Sequence, residues 1–163
     1  MKQDRDLESL LGYQIDMAHL TMVADARKKL APFAVTPAKL TAMLLIRANP
    51  GCDQTALGRA LRINRSSVMK LVNYLAERTL VERHPGRDLR TNALHLSAEG
   101  EARLVEMVAC LRESDRRMTA GLTAEERATL ATLVRKLRQP RETSGTTTKN
   151  TRSTSSRVAK LSA

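Results

Sequence analysis

Four side chains have the types and the spacing to recognise a nucleic acid: Ser66, Ser67, Lys70 and Asn73. Hydroxyls can bond phosphates or base edges, an ammonium can bind phosphate or guanine, and a carboxamide can pair with adenine. They lie in LGRALRINRSSVMKLVNYLAERTLVER, residues 57–83, which reads as a short helix, a four-residue turn and a longer helix. At 3.6 residues per turn Val68, Leu71, Val72 and Leu75 share one face, while Ser66, Lys70, Asn73 and Glu77 point the opposite way. A helix that packs by one face and offers polar groups from the other can enter a DNA major groove. Arg65 falls on its flank, placed for the sugar–phosphate backbone.

The segments that follow must complete the platform. Residues 80–83 are short and β-branched in character, residues 84–91 hold Pro85 and Gly86, and Asn92–Leu96 alternates apolar with polar. This predicts two antiparallel strands joined by a loop that carries Arg87 and Arg90. Helix, turn, helix and basic hairpin in that order make a winged helix-turn-helix in a mainly α fold. The hairpin tip is suited to a minor groove, where narrow A·T-rich stretches attract guanidinium groups.

Charge supports the same partner. The 163-residue chain carries a net charge of +11, of which residues 59–90 supply +5 and residues 140–163 another +4. The positive field is therefore focused on the reading head and the tail, as a double-stranded polyanion would require. Aromatic residues make up only 2 % (Phe33, Tyr13 and Tyr74), which disfavours stacking platforms for single strands.

Other chemistries find no support in the sequence. There is no nucleophile paired with a base, no phosphate-cradling glycine loop and no cofactor motif, so an enzyme is not expected. His19, His84 and His95 show no ligand spacing with Cys52 or Cys110, so no metal is expected. Two distant cysteines suit a reducing compartment, Cys110 as a buried filler and Cys52 just before a helix start, where a thiolate could be stabilised. With no apolar run near the ~20 residues that span a bilayer and no signal peptide, a cytoplasmic protein without a membrane partner is expected.

The rest of the chain reads as supporting helices. Residues 4–31 predict one helix with two apolar rows, Leu7, Leu11, Ile15, Ala18, Met22 and Leu10, Tyr13, Met17, Leu20, Ala24. Two rows call for more than one neighbour. Thr36, with Pro37 after it, should cap a second helix reaching Ala48; Asn49, Pro50 and Gly51 form a turn, and Asp53 and Asn64 cap the next two helices. Ser97 should open a helix with the stripe Leu104, Val108, Leu111, Met118 that Gly121 stops. Thr123 and Glu126 form a capping box for a last helix bearing Leu130, Leu133, Val134 and Leu137. The expected domain is residues 1–139, with 36–96 as the DNA-binding head and 1–35 and 97–139 as dimerisation helices. Residues 140–163, eleven of them Ser or Thr, form a disordered basic tail. A two-fold dimer would offer two reading helices to half-sites roughly 34–36 Å apart.

The pieces PGCDQTALGRAL, INRSSVMKLVNYLAERTLVER, the wing RDLR, LSAEG and LTAEE, in that order, resemble the MarR (multiple antibiotic resistance regulator) family from about Leu7 to Gln139. The resemblance implies a homodimer bound to a pseudo-palindromic operator, usually a repressor released by a small molecule or by oxidation. It also implies that Asp88 sets the wing loop and Arg90 enters the minor groove. An effector pocket would lie between the first helix and the head, involving Met17, His19, Leu20 or Arg47, with aromatic acids or phenols as the expected ligands. Two residues depart from the pattern: Leu89 replaces a usual wing Arg, and Thr79 stands where a helix-ending Gly is usual. The competing readings are a non-specific architectural DNA-binding protein and a winged-helix protein-interaction module.

Overall fold

The computed structural model describes residues 4–86 and 92–138. The expected single N-terminal helix is two: α1 (Arg5–Ser9), capped by Asp4, and α2 (Leu11–Leu30). The break falls at Leu10, whose backbone is extended (φ −77°, ψ 111°). Ser9 turns its hydroxyl back to the Asp6 carbonyl (2.7 Å) and Gly12 follows closely, so a competing hydrogen bond and a poor helix former weaken this turn. A 3-10 turn, Ala31–Phe33, ends α2 at Pro32, and Ala34 beyond it is left-handed.

The predicted caps hold the next elements. Thr36 opens α3 (Pro37–Ala48), its hydroxyl accepting from the Lys39 amide at 3.4 Å. Asp53 opens α4 (Gln54–Leu61), accepting from the Ala56 amide at 2.7 Å. Asn64 opens α5 (Arg65–Glu77), accepting from the Ser67 amide at 2.9 Å.

Strands β1 (Val81–Pro85) and β2 (Asn92–Leu96) pair antiparallel, Val81 opposite Leu96 and Pro85 opposite Asn92. β1 thus starts one residue later than expected and takes in His84 and Pro85, which the sequence reading placed in the loop. Pro85 is tolerated because a two-stranded sheet has only edges. The turn before α4 is stitched to β2 by two backbone hydrogen bonds, Gly51 N–H to Leu94 O and Leu94 N–H to Cys52 O, both 2.9 Å.

Ser97 caps α6 (Ala98–Met118) through the Gly100 amide at 2.9 Å. Its fully buried positions are Gly100, Leu104, Met107 and Ser114, whereas Val108, Leu111 and Met118 of the expected stripe are only half-buried. The buried line is thus rotated from the one expected, because a glycine and a serine occupy the closest approaches. The helix also ends at Met118, before Gly121. The Thr119 hydroxyl bonds the Asp115 carbonyl at 2.6 Å and closes the last turn.

The core gathers Leu40, Met43 and Ile46 of α3, Leu57 of α4, Val68, Val72 and Leu75 of α5, and Leu94 of β2. Leu30 from the end of α2 and Leu104 and Met107 from α6 complete it. Each such side chain contributes about 1.5–3 kcal/mol on burial. α2 lies along α6, where Asp25 accepts hydrogen bonds from the Ser114 hydroxyl and the Arg117 guanidinium. Among the described residues no single helix is long and apolar enough to cross a membrane.

Among the described residues, 123–138 belong to a separate unit containing α7 (Ala124–Arg138). The capping box is present in both directions: Thr123 N–H to Glu126 Oε2 (2.8 Å) and Glu126 N–H to Thr123 Oγ1 (3.2 Å). Leu130, Leu133, Val134 and Leu137 are exposed.

Candidate nucleic-acid interface

Two small features let α4 and α5 cross closely. A Cβ on Gly58 would come within 2.8 Å of Val68 Cγ2, so only glycine admits the buried Val68 beneath α4. Arg62 then turns the chain in the left-handed conformation (φ 55°). Its N–H bonds Arg59 O and the Ile63 N–H bonds Gly58 O, which satisfies the last carbonyls of α4. The turn between the helices is three residues, 62–64, one fewer than expected.

With Val68, Leu71, Val72 and Leu75 buried, the other face of α5 is presented outward as the helical wheel requires. Arg65, Ser66, Ser67 and Lys70 are all exposed. The Ser66 hydroxyl donates to Asn64 Oδ1 (3.2 Å), which leaves its oxygen free to accept. Asn73 is half-buried, and its amide oxygen accepts from the Arg83 guanidinium of β1. The oxygen expected to pair with adenine is therefore already engaged.

The far end of α5 is locked to α6. Thr79 is left-handed (φ 56°) in the position where glycine is usual. Thr79 N–H to Ala76 O (2.9 Å) and Leu80 N–H to Leu75 O (3.0 Å) close the helix. Its strain is held in place by neighbours: the Thr79 hydroxyl donates to Glu99 Oε2 (2.8 Å), and the Ser97 hydroxyl bonds the Thr79 carbonyl. The fit is tight, since a Cβ on Gly100 would lie 2.0 Å from the Leu80 carbonyl oxygen. Tyr74 ties α5 to the chain before α3 through a hydrogen bond to Ala34 O, and Lys39 and Arg78 both stack on its ring.

Beside the start of α5 lies a cleft of about 510 Å³, lined by Arg59, Arg62 and Arg65 together with Asp53, Thr55 and Asn92. Arg65 is thus joined by two arginines that the sequence reading did not single out. Their signal was there in the charge count of residues 59–90, but a helical wheel of α5 alone cannot place residues of α4. Arg87, Asp88 and Arg90, the expected wing contacts, lie outside the described residues.

The expected effector residues come from two helices. Met17, His19 and Leu20 are exposed on α2 and Arg47 is exposed near the end of α3. None of the four lines the arginine cleft. At Cys52, burial and then the Asp53 carboxylate push the thiol up from its ordinary value, the reverse of what an activated thiolate needs. Among the described residues no three His, Cys, Asp or Glu side chains converge as metal ligands would.

These elements define a winged helix-turn-helix of the DNA-reading kind. The sequence profile of the MarR family matches residues 35–90, the stretch from the start of α3 through the wing. The chain belongs to the MarR family. It is 36 % identical over 104 residues to the "putative transcriptional regulatory protein for hcr operon" of Thauera aromatica, an alignment that spans 63 % of each protein. It is 30 % identical over 104 residues to the transcriptional regulator HosA of Escherichia coli O157:H7, spanning 63 % of this chain and 77 % of HosA. Among solved structures, the transcriptional repressor CouR bound to a 23-mer DNA duplex superposes with a TM-score of 0.80 at 28 % identity, covering 85 % of this chain and 99 % of CouR. CouR bound to p-coumaroyl-CoA superposes with a TM-score of 0.73, covering 84 % of this chain and 97 % of CouR.

Proposed function

We propose that the protein is a sequence-specific transcriptional regulator: a homodimeric repressor released from a pseudo-palindromic operator by a small-molecule effector. The observation that carries this reading is the polar face of α5, exposed along Ser66, Ser67 and Lys70 over a fully buried underside and flanked by Arg59, Arg62 and Arg65. Ser66, Ser67, Lys70 and Asn73 enter the major groove. Arg65 and its two neighbours hold the backbone, and Arg87 and Arg90, set by Asp88, reach the minor groove.

Dimerisation follows from the apolar surface left outside the core. Leu10, Leu11, Ile15 and Leu20 at the N-terminal end, Val105 on α6, and Leu133 and Leu137 on α7 are all exposed, and a second copy would cover them. Residues 1–35 and 97–139 are accordingly assigned to a dimerisation lobe. The effector is assigned to the class that binds CouR, an aromatic acid or its thioester, with Met17, His19, Leu20 and Arg47 as the candidate contacts. Such a regulator works beside the chromosome, in the cytoplasm, and needs no metal, cofactor or catalytic group.

The test is fluorescence anisotropy with duplexes from the promoter regions around the protein's own gene. A specific regulator prefers one of them over unrelated duplex by ~10³-fold or more at physiological salt. Lys70→Ala should lower that affinity by about 1–3 kcal/mol. Equal affinity for all duplexes would instead favour a non-specific architectural protein, and no salt-dependent binding would leave only a protein-interaction module.

A further inference from the structure

We propose that Arg83 is a specificity-determining partner of Asn73. By holding the amide oxygen it fixes the orientation of the Asn73 amide and takes up part of its acceptor capacity, so that the pair favours hydrogen-bond acceptors on DNA over adenine. The inference rests on the DNA-binding reading above and refines it.

The chemistry of the pair fixes its orientation. A guanidinium has five N–H donors and no acceptor, so only the carbonyl end of a carboxamide can face it. The Arg83 guanidinium bonds Asn73 Oδ1, which turns the Asn73 NH₂ group away from the strand. Rotating the amide by 180° would set donor against donor. Pairing with adenine needs both ends of the amide at once, the oxygen accepting from N6–H and the nitrogen donating to N7. With Oδ1 already accepting from Arg83, only its second lone pair is left for N6–H, which weakens that pattern. What the pair presents is the NH₂ group beside the remaining N–H bonds of Arg83, for which the described residues show no further partner, a surface dominated by donors. Its complements are guanine O6 and N7, thymine O4 or a phosphate oxygen.

The partnership is built into the fold. Arg83 stands opposite Leu94 in the ladder, and Val81 two residues earlier and Leu94 itself are fully buried, so the strand backbone beside α5 is fixed. The adjacent carboxylate of Glu82 is engaged by His84 (3.1 Å). Among the described residues no carboxylate forms an ion pair with Arg83. Asn73 is half-buried, which limits the rotamers that could carry its amide elsewhere.

The experiment is selection of bound duplexes from a randomised library, followed by anisotropy titrations with the full chain, Asn73→Ala, Arg83→Met and the double variant. Arg83 is exposed, so Arg83→Met should fold normally, and an unchanged thermal midpoint checks this. If the acceptor is a base edge, one half-site position prefers guanine or thymine, and each single variant loses that preference by ~10-fold with no further loss in the double variant. If the acceptor is a phosphate, the single variants weaken all duplexes alike by ~10-fold and reduce the salt slope, again without additivity. Either result supports the proposal and identifies the acceptor. An adenine preference abolished by Asn73→Ala but kept in Arg83→Met would overturn it, as would additive effects or no effect of either change. Failure of the unsubstituted protein to select any sequence would sink the DNA-binding reading itself, a distinct outcome.

Discussion

The head and the chain's terminal helices treat their apolar residues in opposite ways. In the head, Met43, Ile46, Leu75 and Leu94 are wholly inaccessible to solvent, Thr36, Asp53 and Asn64 cap its helices, and Thr79 is bridged to Glu99 of α6. At the N-terminal end, Leu11 is 63 % and Leu20 53 % exposed, and on α7 Leu137 is 59 % exposed. Both regions are amphipathic in sequence. The head finds its partners among the described residues of one chain, whereas α1, α2 and α7 each leave apolar side chains exposed. One region is therefore closed by its own chain, and the other is, on the reading proposed above, left for assembly.

The largest effect should come from charging the uncovered rows. Leu11→Glu with Leu20→Glu should raise the dimer dissociation constant by ~10³-fold or more, because two carboxylates would have to be buried unpaired. Sedimentation equilibrium measures this, and circular dichroism should show the monomer's helices intact. Dimers persisting in this variant would remove the contrast between the two regions. In the head, Leu75→Ala should cost about 3 kcal/mol in denaturant unfolding, since its site cannot collapse around the void.

A smaller effect is expected where α2 meets α6. The Ser114 hydrogen bond outweighs the opposing effect of burial and, with the lesser contributions of the bond and charge of Arg117 and the charge of Lys29, holds the Asp25 carboxyl below its ordinary value of 3.8. A depressed carboxyl stabilises the fold above that ordinary value, and the contribution disappears as the pH falls through the folded value. Asp25→Asn should therefore flatten the acid limb of a stability–pH curve and leave its shape near neutrality unaltered. The smallest change is Thr79→Gly. Relief of the left-handed strain is offset by the lost bond to Glu99 and by a freer unfolded chain, for a net gain of about 0.5 kcal/mol.

Much of the fold was legible in the sequence because its signals are local. Thr36, Asp53, Asn64, Ser97 and Thr123 each cap the helix expected of them, since a cap depends on three or four residues of backbone. The four buried positions of α5 follow from helical period alone. The break at Leu10, the rotated stripe of α6 and the extension of β1 through Pro85 did not follow. Each depends on which neighbour a segment meets or which competing hydrogen bond wins. The candidate site divides in the same way: Ser66, Ser67 and Lys70 were readable from one helix, while Arg59 and Arg62 belong to another element.

Composition, period and capping residues thus determined on their own a basic winged helix-turn-helix with one polar reading face, because each acts over a single turn or a single charge balance. Only the tertiary structure decided that Arg83 takes the Asn73 oxygen, that three arginines share one cleft, and that Gly58 and Gly100 sit where a methyl group would strike a neighbour. Those facts arise from contacts between different secondary-structure elements, and their geometry is set by how the core packs, which no pattern within one element encodes.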